Sequence, residues 1–74
     1  MPSKWPVLKP SEVDRALNKL GFHRVSQRGS HIKYTDGVHV TIVPEHREIA
    51  KGTLKGILDK ADISYDRFMS ALKD

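Results

Sequence analysis

Apolar residues recur along this chain with two different periods. Val13, Ala16, Leu17 and Leu20 fall at the i, i+3, i+4, i+7 spacing of one buried helix face. Ser11, directly after Pro10, is the expected N-cap, with Glu12 and Asp14 favourably placed in the first turn and Gly21 as the stop. Arg15, Asn18 and Lys19 lie off the stripe and are expected to face solvent. The same spacing returns in Leu54, Ile57, Leu58 and Ala61 behind Thr53, a second expected cap. Gly56 sits inside that stripe at a cost of about 1 kcal/mol relative to alanine, and its place is read as allowing close packing on a sheet. Ser64 is a third expected cap, followed by a stripe of Tyr65, Phe68, Met69 and Leu72.

Between the first two helices the period drops to two, which predicts strands over residues 22–27, 30–34 and 38–43. Phe22 and Val25 have opposite parity, so one of them is expected at the helix–strand corner. In the third strand Val38, Val40 and Ile42 alternate with His39, Thr41 and Val43. A two-residue turn at Asp36-Gly37 would place the apolar sets of the last two strands on opposite faces. A three-residue turn, Thr35-Asp36-Gly37, brings Tyr34 opposite Val38 and Ile32 opposite Val40, with Gly37 in the left-handed position. This second register is the expectation. It sets His31 opposite Thr41 and Lys33 opposite His39, all on the face away from the helices. Pro44 ends the sheet, and residues 45–52 form a polar connection anchored by Ile49. Residues 1–10 hold three of the four prolines and form an extended lead-in, with Trp5 docking on the domain as a cover. The predicted class is α+β: helix, three-stranded antiparallel sheet, helix and a short extra C-terminal helix, with helices on one face only. One domain is expected over 1–74, with a folded core from 11 to 72.

A chain of 74 residues buries only about 60–65% of its unfolded surface, so the core must be efficient. Cysteine is absent, which removes disulfides and thiolate metal sites. No apolar run approaches the roughly 18 residues of a membrane span, and the N-terminus has no hydrophobic signal region. A soluble cytoplasmic protein is therefore expected. The net charge of +4 is uneven. Residues 1–30 carry six cations against Glu12 and Asp14, whereas residues 31–74 carry seven cations against seven acids. That asymmetry fits a polyanion partner such as nucleic acid, but also fits a basic protein that binds none.

The stretch from Arg28 to Tyr34 gathers the candidate chemistry. An outward His31 beside Arg28 and Lys33 can hold a phosphate and move a proton, although an idle surface histidine satisfies the same pattern. The four histidines, His23, His31, His39 and His46, are spaced eight, eight and seven apart. Those separations match no common metal motif, so no metal and no cofactor is expected. Ser30 and His31 are strand neighbours pointing to opposite faces, which argues against a serine–histidine nucleophile pair. No phosphate-binding loop and no paired carboxylates occur. What remains is acid–base chemistry on a phosphodiester. RNA carries its own nucleophile, the 2′-hydroxyl, and an imidazole with an ordinary pKa of about 6.5 suits removal of its proton. Cations suit the phosphate.

Gly21-Phe22, Gly29-Ser30-His31, Val43-Pro44 and Gly52-Thr53-Leu54, in this order and spacing, resemble the HicA family of bacterial toxins over about residues 11–72. The resemblance implies a double-stranded-RNA-binding-domain-like fold. It also implies metal-independent and ribosome-independent cleavage of mRNA, a HicB-like antitoxin as inhibitor, and the histidine of Gly-Ser-His, here His31, as the catalytic residue. Arg28 and Lys33 are the expected RNA phosphate contacts. No membrane and no DNA contact by this chain alone is expected. The proton donor is unassigned, and His39 enters as a candidate only through the register above. The lead-in before Ser11 is longer than the family pattern implies, which bears on RNA access and antitoxin contact. The alternative in another class is a non-catalytic RNA-binding module; a third is a protein-interaction domain without RNA affinity.

Overall fold

Proline at the first helical position needs no donor and already has the helical φ. The first helix therefore starts two residues earlier than Ser11 as N-cap predicts. In the computed structural model, which describes residues 5–74, α1 spans Pro10–Lys19 with Lys9 as N-cap. Glu12 Oε1, at N3, accepts from the Lys9 N–H at 2.8 Å, the carboxylate half of a capping box. Gly21, at φ 93°, closes the helix: its N–H reaches the Asn18 carbonyl and the Phe22 N–H reaches the Leu17 carbonyl. This is the Schellman arrangement. It buries Phe22 at the corner.

The strands are β1 His23–Arg28, β2 His31–Thr35 and β3 Val40–Pro44, in the order β1-β2-β3, all antiparallel. A bulge between Arg24 and Ser26 absorbs Val25 and accounts for its wrong parity. The β2–β3 register differs from the three-residue expectation. Thr35 pairs with Val40, Tyr34 with Thr41, Lys33 with Ile42, Ile32 with Val43 and His31 with Pro44. The loop is thus four residues, 36–39. Its own side chains shape it. Asp36 Oδ1 accepts from the Val38 N–H at 2.9 Å and the His39 N–H at 2.6 Å. Thr35 Oγ1 donates to the His39 carbonyl at 2.7 Å and accepts from the Gly37 N–H. As a result Ile32, Tyr34, Thr41 and Val43 are buried, while Val38, Val40 and Ile42 face out. Thr41 is tolerated inside because its hydroxyl donates to the Ile57 carbonyl at 2.9 Å, leaving no unpaired polar atom.

Leu8 and Ile49 form an antiparallel bridge, which holds the chain extended up to Ala50. The second helix, α2 Lys51–Ala61, therefore starts straight after it with Ala50 as N-cap, ahead of the predicted Thr53. Its stripe of Leu54, Ile57, Leu58 and Ala61 is buried as expected. A Cβ added at Gly56 would meet nothing within 4 Å, so the glycine does not serve close packing. The last helix, α3 Tyr65–Lys73, is capped by Ser64, whose Oγ accepts from the Arg67 N–H. Arg15 departs from the solvated expectation: its guanidinium donates to the Leu72 carbonyl at 3.0 Å and ties α1 to the end of α3. Trp5 covers this side as predicted, its ring 4.7 Å from that of Tyr65; residues 1–4 of the predicted lead-in lie outside the described part. The helices share one face of the sheet, and the other face is open.

Candidate functional site

Gly29 and Ser30 form a two-residue loop between Arg28 and His31, which pair directly. Gly29 takes φ 60° in the first loop position, the backbone a type II′ hairpin turn requires. The turn is buttressed from outside. The Gln27 side-chain amide donates to the Gly29 carbonyl at 2.9 Å and to Glu45 at 2.8 Å, and the Glu45 N–H reaches the Ser30 carbonyl. Arg28 and His31 are thereby held side by side at one end of the hairpin.

Strand parity then assembles the open face. Ser26 pairs with Lys33, and Lys33 with Ile42. Ser26, Arg28, His31, Lys33 and Ile42 line one hollow of about 470 Å³, within the roughly 300–1,000 Å³ that accommodates small ligands. All three expected site residues, Arg28, His31 and Lys33, are exposed there. Ser26 and Ile42 were not anticipated. Ile42 becomes visible as a lining residue only once the four-residue loop is known. Among the described residues the His31 ring has no hydrogen bond or ion pair, and neither Arg28 nor Lys33 has an acidic partner. The hollow thus offers a proton acceptor or donor flanked by two unneutralised cations.

The structure removes His39 from this site. It lies in the β2–β3 loop, with Nδ1 3.2 Å from Asp36 and Nε2 3.7 Å from Asp62. His31 sits at the other end of the hairpin, four residues along β2, or about 13 Å. His39 thus lies between the hairpin loop and the end of α2. The two backbone N–H groups of His39 and Val38 hold the Asp36 carboxyl down at about 2. His23 starts β1 opposite Thr35, also away from His31, and His46 is exposed in the turn after β3.

Beneath β1, on the helix side, a second polar group is fully engaged. The buried Tyr34 phenol donates to Asp14 Oδ1, and the Arg24 guanidinium lies 4.0 Å from the same oxygen. Burial first, and the hydrogen bond to Asp14 second, push the phenol up to about 12. Among the described residues no group of three or more His, Asp or Glu is placed to hold a metal, and no helix is long and apolar enough to cross a membrane.

Fold and site together define a small α+β domain that presents an imidazole between two free cations on an open sheet face. The chain belongs to the HicA toxin family of bacterial toxin–antitoxin systems: the family model, HicA toxin of bacterial toxin-antitoxin, matches residues 10–63. The match runs from the start of α1 through Ile63, and so includes the whole hollow. No curated protein matches the chain. Membership of a toxin–antitoxin family implies an antitoxin partner.

Proposed function

We propose that this toxin is an endoribonuclease that cleaves mRNA with His31, and that a HicB-like antitoxin inhibits it by covering that residue. The observation that carries this reading is the convergence of His31, Arg28 and Lys33 on one hollow without an acidic neighbour. His31 takes the proton of a ribose 2′-hydroxyl. The 2′-oxygen then attacks the adjacent phosphorus, and the bond to the 5′-oxygen breaks, leaving a cyclic phosphate and a 5′-hydroxyl end once that oxygen is protonated. Arg28 and Lys33 hold the phosphate and offset the charge that grows on its oxygens. The chain acts as one cytoplasmic toxin domain over residues 1–74, with 11–72 as its core.

Controlled expression of wild type and His31→Ala, with growth and RNA integrity followed in time, tests the proposal. General-base removal costs about 10²–10⁴ in rate, so the variant should spare both RNA and growth. His31 is exposed, so the fold should survive within about 0.5 kcal/mol. Full activity of His31→Ala refutes the assignment. Purified wild type that binds single-stranded RNA in chelator without cutting it would make the chain a binding module instead.

A further inference from the structure

The open face is sorted lengthwise. Ser26 and Arg28 on β1, with His31 and Lys33 on β2, make a polar and cationic band. On β3 the outward residues are Val40, Ile42 and Pro44, and Val38 extends the line into the loop. Val38, Val40 and Ile42 are 82%, 47% and 37% exposed. Cross-strand pairing aligns the two bands in rows, Arg28–His31–Pro44 and then Ser26–Lys33–Ile42. Adjacent strands lie about 4.8 Å apart, so an apolar surface runs one strand width from Lys33 and two from Arg28.

A ligand that matches this face must be anionic along one edge and apolar along the other, with the two in step. Single-stranded RNA has that construction, with phosphates on one side and flat bases on the other. Ile42 is the one apolar member of the His31 hollow, sharing its wall with Arg28 and Lys33. We propose that Ile42 is the floor of a nucleobase seat. The base of the nucleotide whose phosphate lies between Arg28 and Lys33 rests against its side chain, and Val40 continues the surface toward the next base. An aliphatic floor supplies contact without hydrogen bonds to the base edge, so it positions the nucleotide for His31 while reading little sequence. This inference rests on reading the hollow as an RNA site.

The test uses His31→Ala as the parent, so that bound RNA persists. Two probes are compared, a short single-stranded RNA oligonucleotide and inorganic polyphosphate, which has the charge but no base. Ile42→Thr keeps a β-branched side chain and should weaken RNA binding about fivefold, a contact somewhat weaker than base–aromatic stacking. Polyphosphate binding should be unchanged. Ile42→Val should restore most of the RNA affinity, whereas Lys33→Ala should weaken both probes. Unchanged RNA affinity in Ile42→Thr overturns the seat, and more so if the same variant escapes its antitoxin, since β3 would then be a protein contact. Equal weakening of both probes also overturns it. The two readings fail separately. Cleavage by the wild type with no Ile42 dependence sinks the seat alone. Ile42-dependent RNA binding without cleavage sinks the nuclease alone.

Discussion

Register decides which residues join His31, and two alanine substitutions test it. Val43 is fully buried opposite Ile32, whereas Ile42, one residue earlier, is 37% exposed on the open face. Val43→Ala removes two buried methyl groups, at about 0.8 kcal/mol each. The cavity left against Ile32 and the helices raises the total to about 2–3 kcal/mol. Ile42→Ala loses a larger side chain, but one that packs only on its strand neighbours and water, and should cost about 0.5–1 kcal/mol. A chain of this length has a total stability of about 4–11 kcal/mol, so the first change is a large fraction of it. For a domain of this size 1 kcal/mol shifts Tm by about 4–8 °C. Val43→Ala should therefore lower Tm by about 10–20 °C and Ile42→Ala by less than about 8 °C. Urea unfolding followed through Trp5, the single tryptophan, gives the same comparison as midpoints at constant slope. In the three-residue register Ile42 would be inside and Val43 outside, so the order of the two costs would invert. An Ile42→Ala penalty equal to or above that of Val43→Ala refutes the observed register and, with it, the composition of the hollow.

Three further outcomes follow from the same geometry. Gly56→Ala meets open space in a helix interior and should stabilise by up to about 1 kcal/mol in urea unfolding; a loss of stability would show that the glycine has a packing role after all. The Asp36 carboxyl sits below its unfolded value, at about 2 against 3.8. Its contribution is therefore present above pH 4 and lost as pH falls from about 4 toward 2. Asp36→Asn should flatten acid unfolding in that window, and an unchanged acid slope would reject the loop bonds as the cause. The Tyr34 phenol sits above its unfolded value, at about 12 against 10, so its contribution is intact below pH 10 and fades as pH rises through about 12. An ultraviolet phenolate titration should find this high step and lose it in Tyr34→Phe, which should also cost about 1–2 kcal/mol for the bond to Asp14; survival of the step would assign it to another group.

Helical periodicity was readable wherever a stripe faced one core: the α2 stripe is wholly buried, Val13, Ala16 and Leu17 are buried with Leu20 at the margin, and the α3 stripe buries Phe68 while Tyr65, Met69 and Leu72 are half-buried around it. Of the caps, Ser64 and the Gly21 stop were readable, but Ser11 and Thr53 were not, because a side chain competes there with the path of the whole chain. Pro10 and Glu12 settle the start of α1, and the Leu8–Ile49 bridge settles the start of α2. The sheet register misled for a related reason. Counting apolar residues favours Val38, Val40 and Ile42 as the inner set. The structure prefers Thr41 and Val43, since Thr41 finds the Ile57 carbonyl and Asp36 closes a longer loop. A threonine with a partner can be buried, and three aliphatic residues can be left outside; parity alone carries neither fact. The expected outward position of His31 survived this error, because it faces out in both registers. That of His39 did not, because its place depended on the loop length.

β1 shows how the site keeps its charge. All six of its residues are exposed, so packing does not hold it in place. Without the bulge, Arg24, Ser26 and Arg28 would share one face, since strand neighbours two apart point the same way. The bulge at Val25 shifts the phase, so that Arg24 pairs with the inward Tyr34 while Ser26 and Arg28 pair with the outward Lys33 and His31. Arg24 is turned to the helix side, its guanidinium 4.0 Å from Asp14 Oδ1. Arg28 is left above the sheet with no acid in reach. One extra residue in an edge strand thus divides two cations of the same strand between structure and site. A net charge counted along the sequence cannot make that division, because what matters for an anion is which arginines are already neutralised.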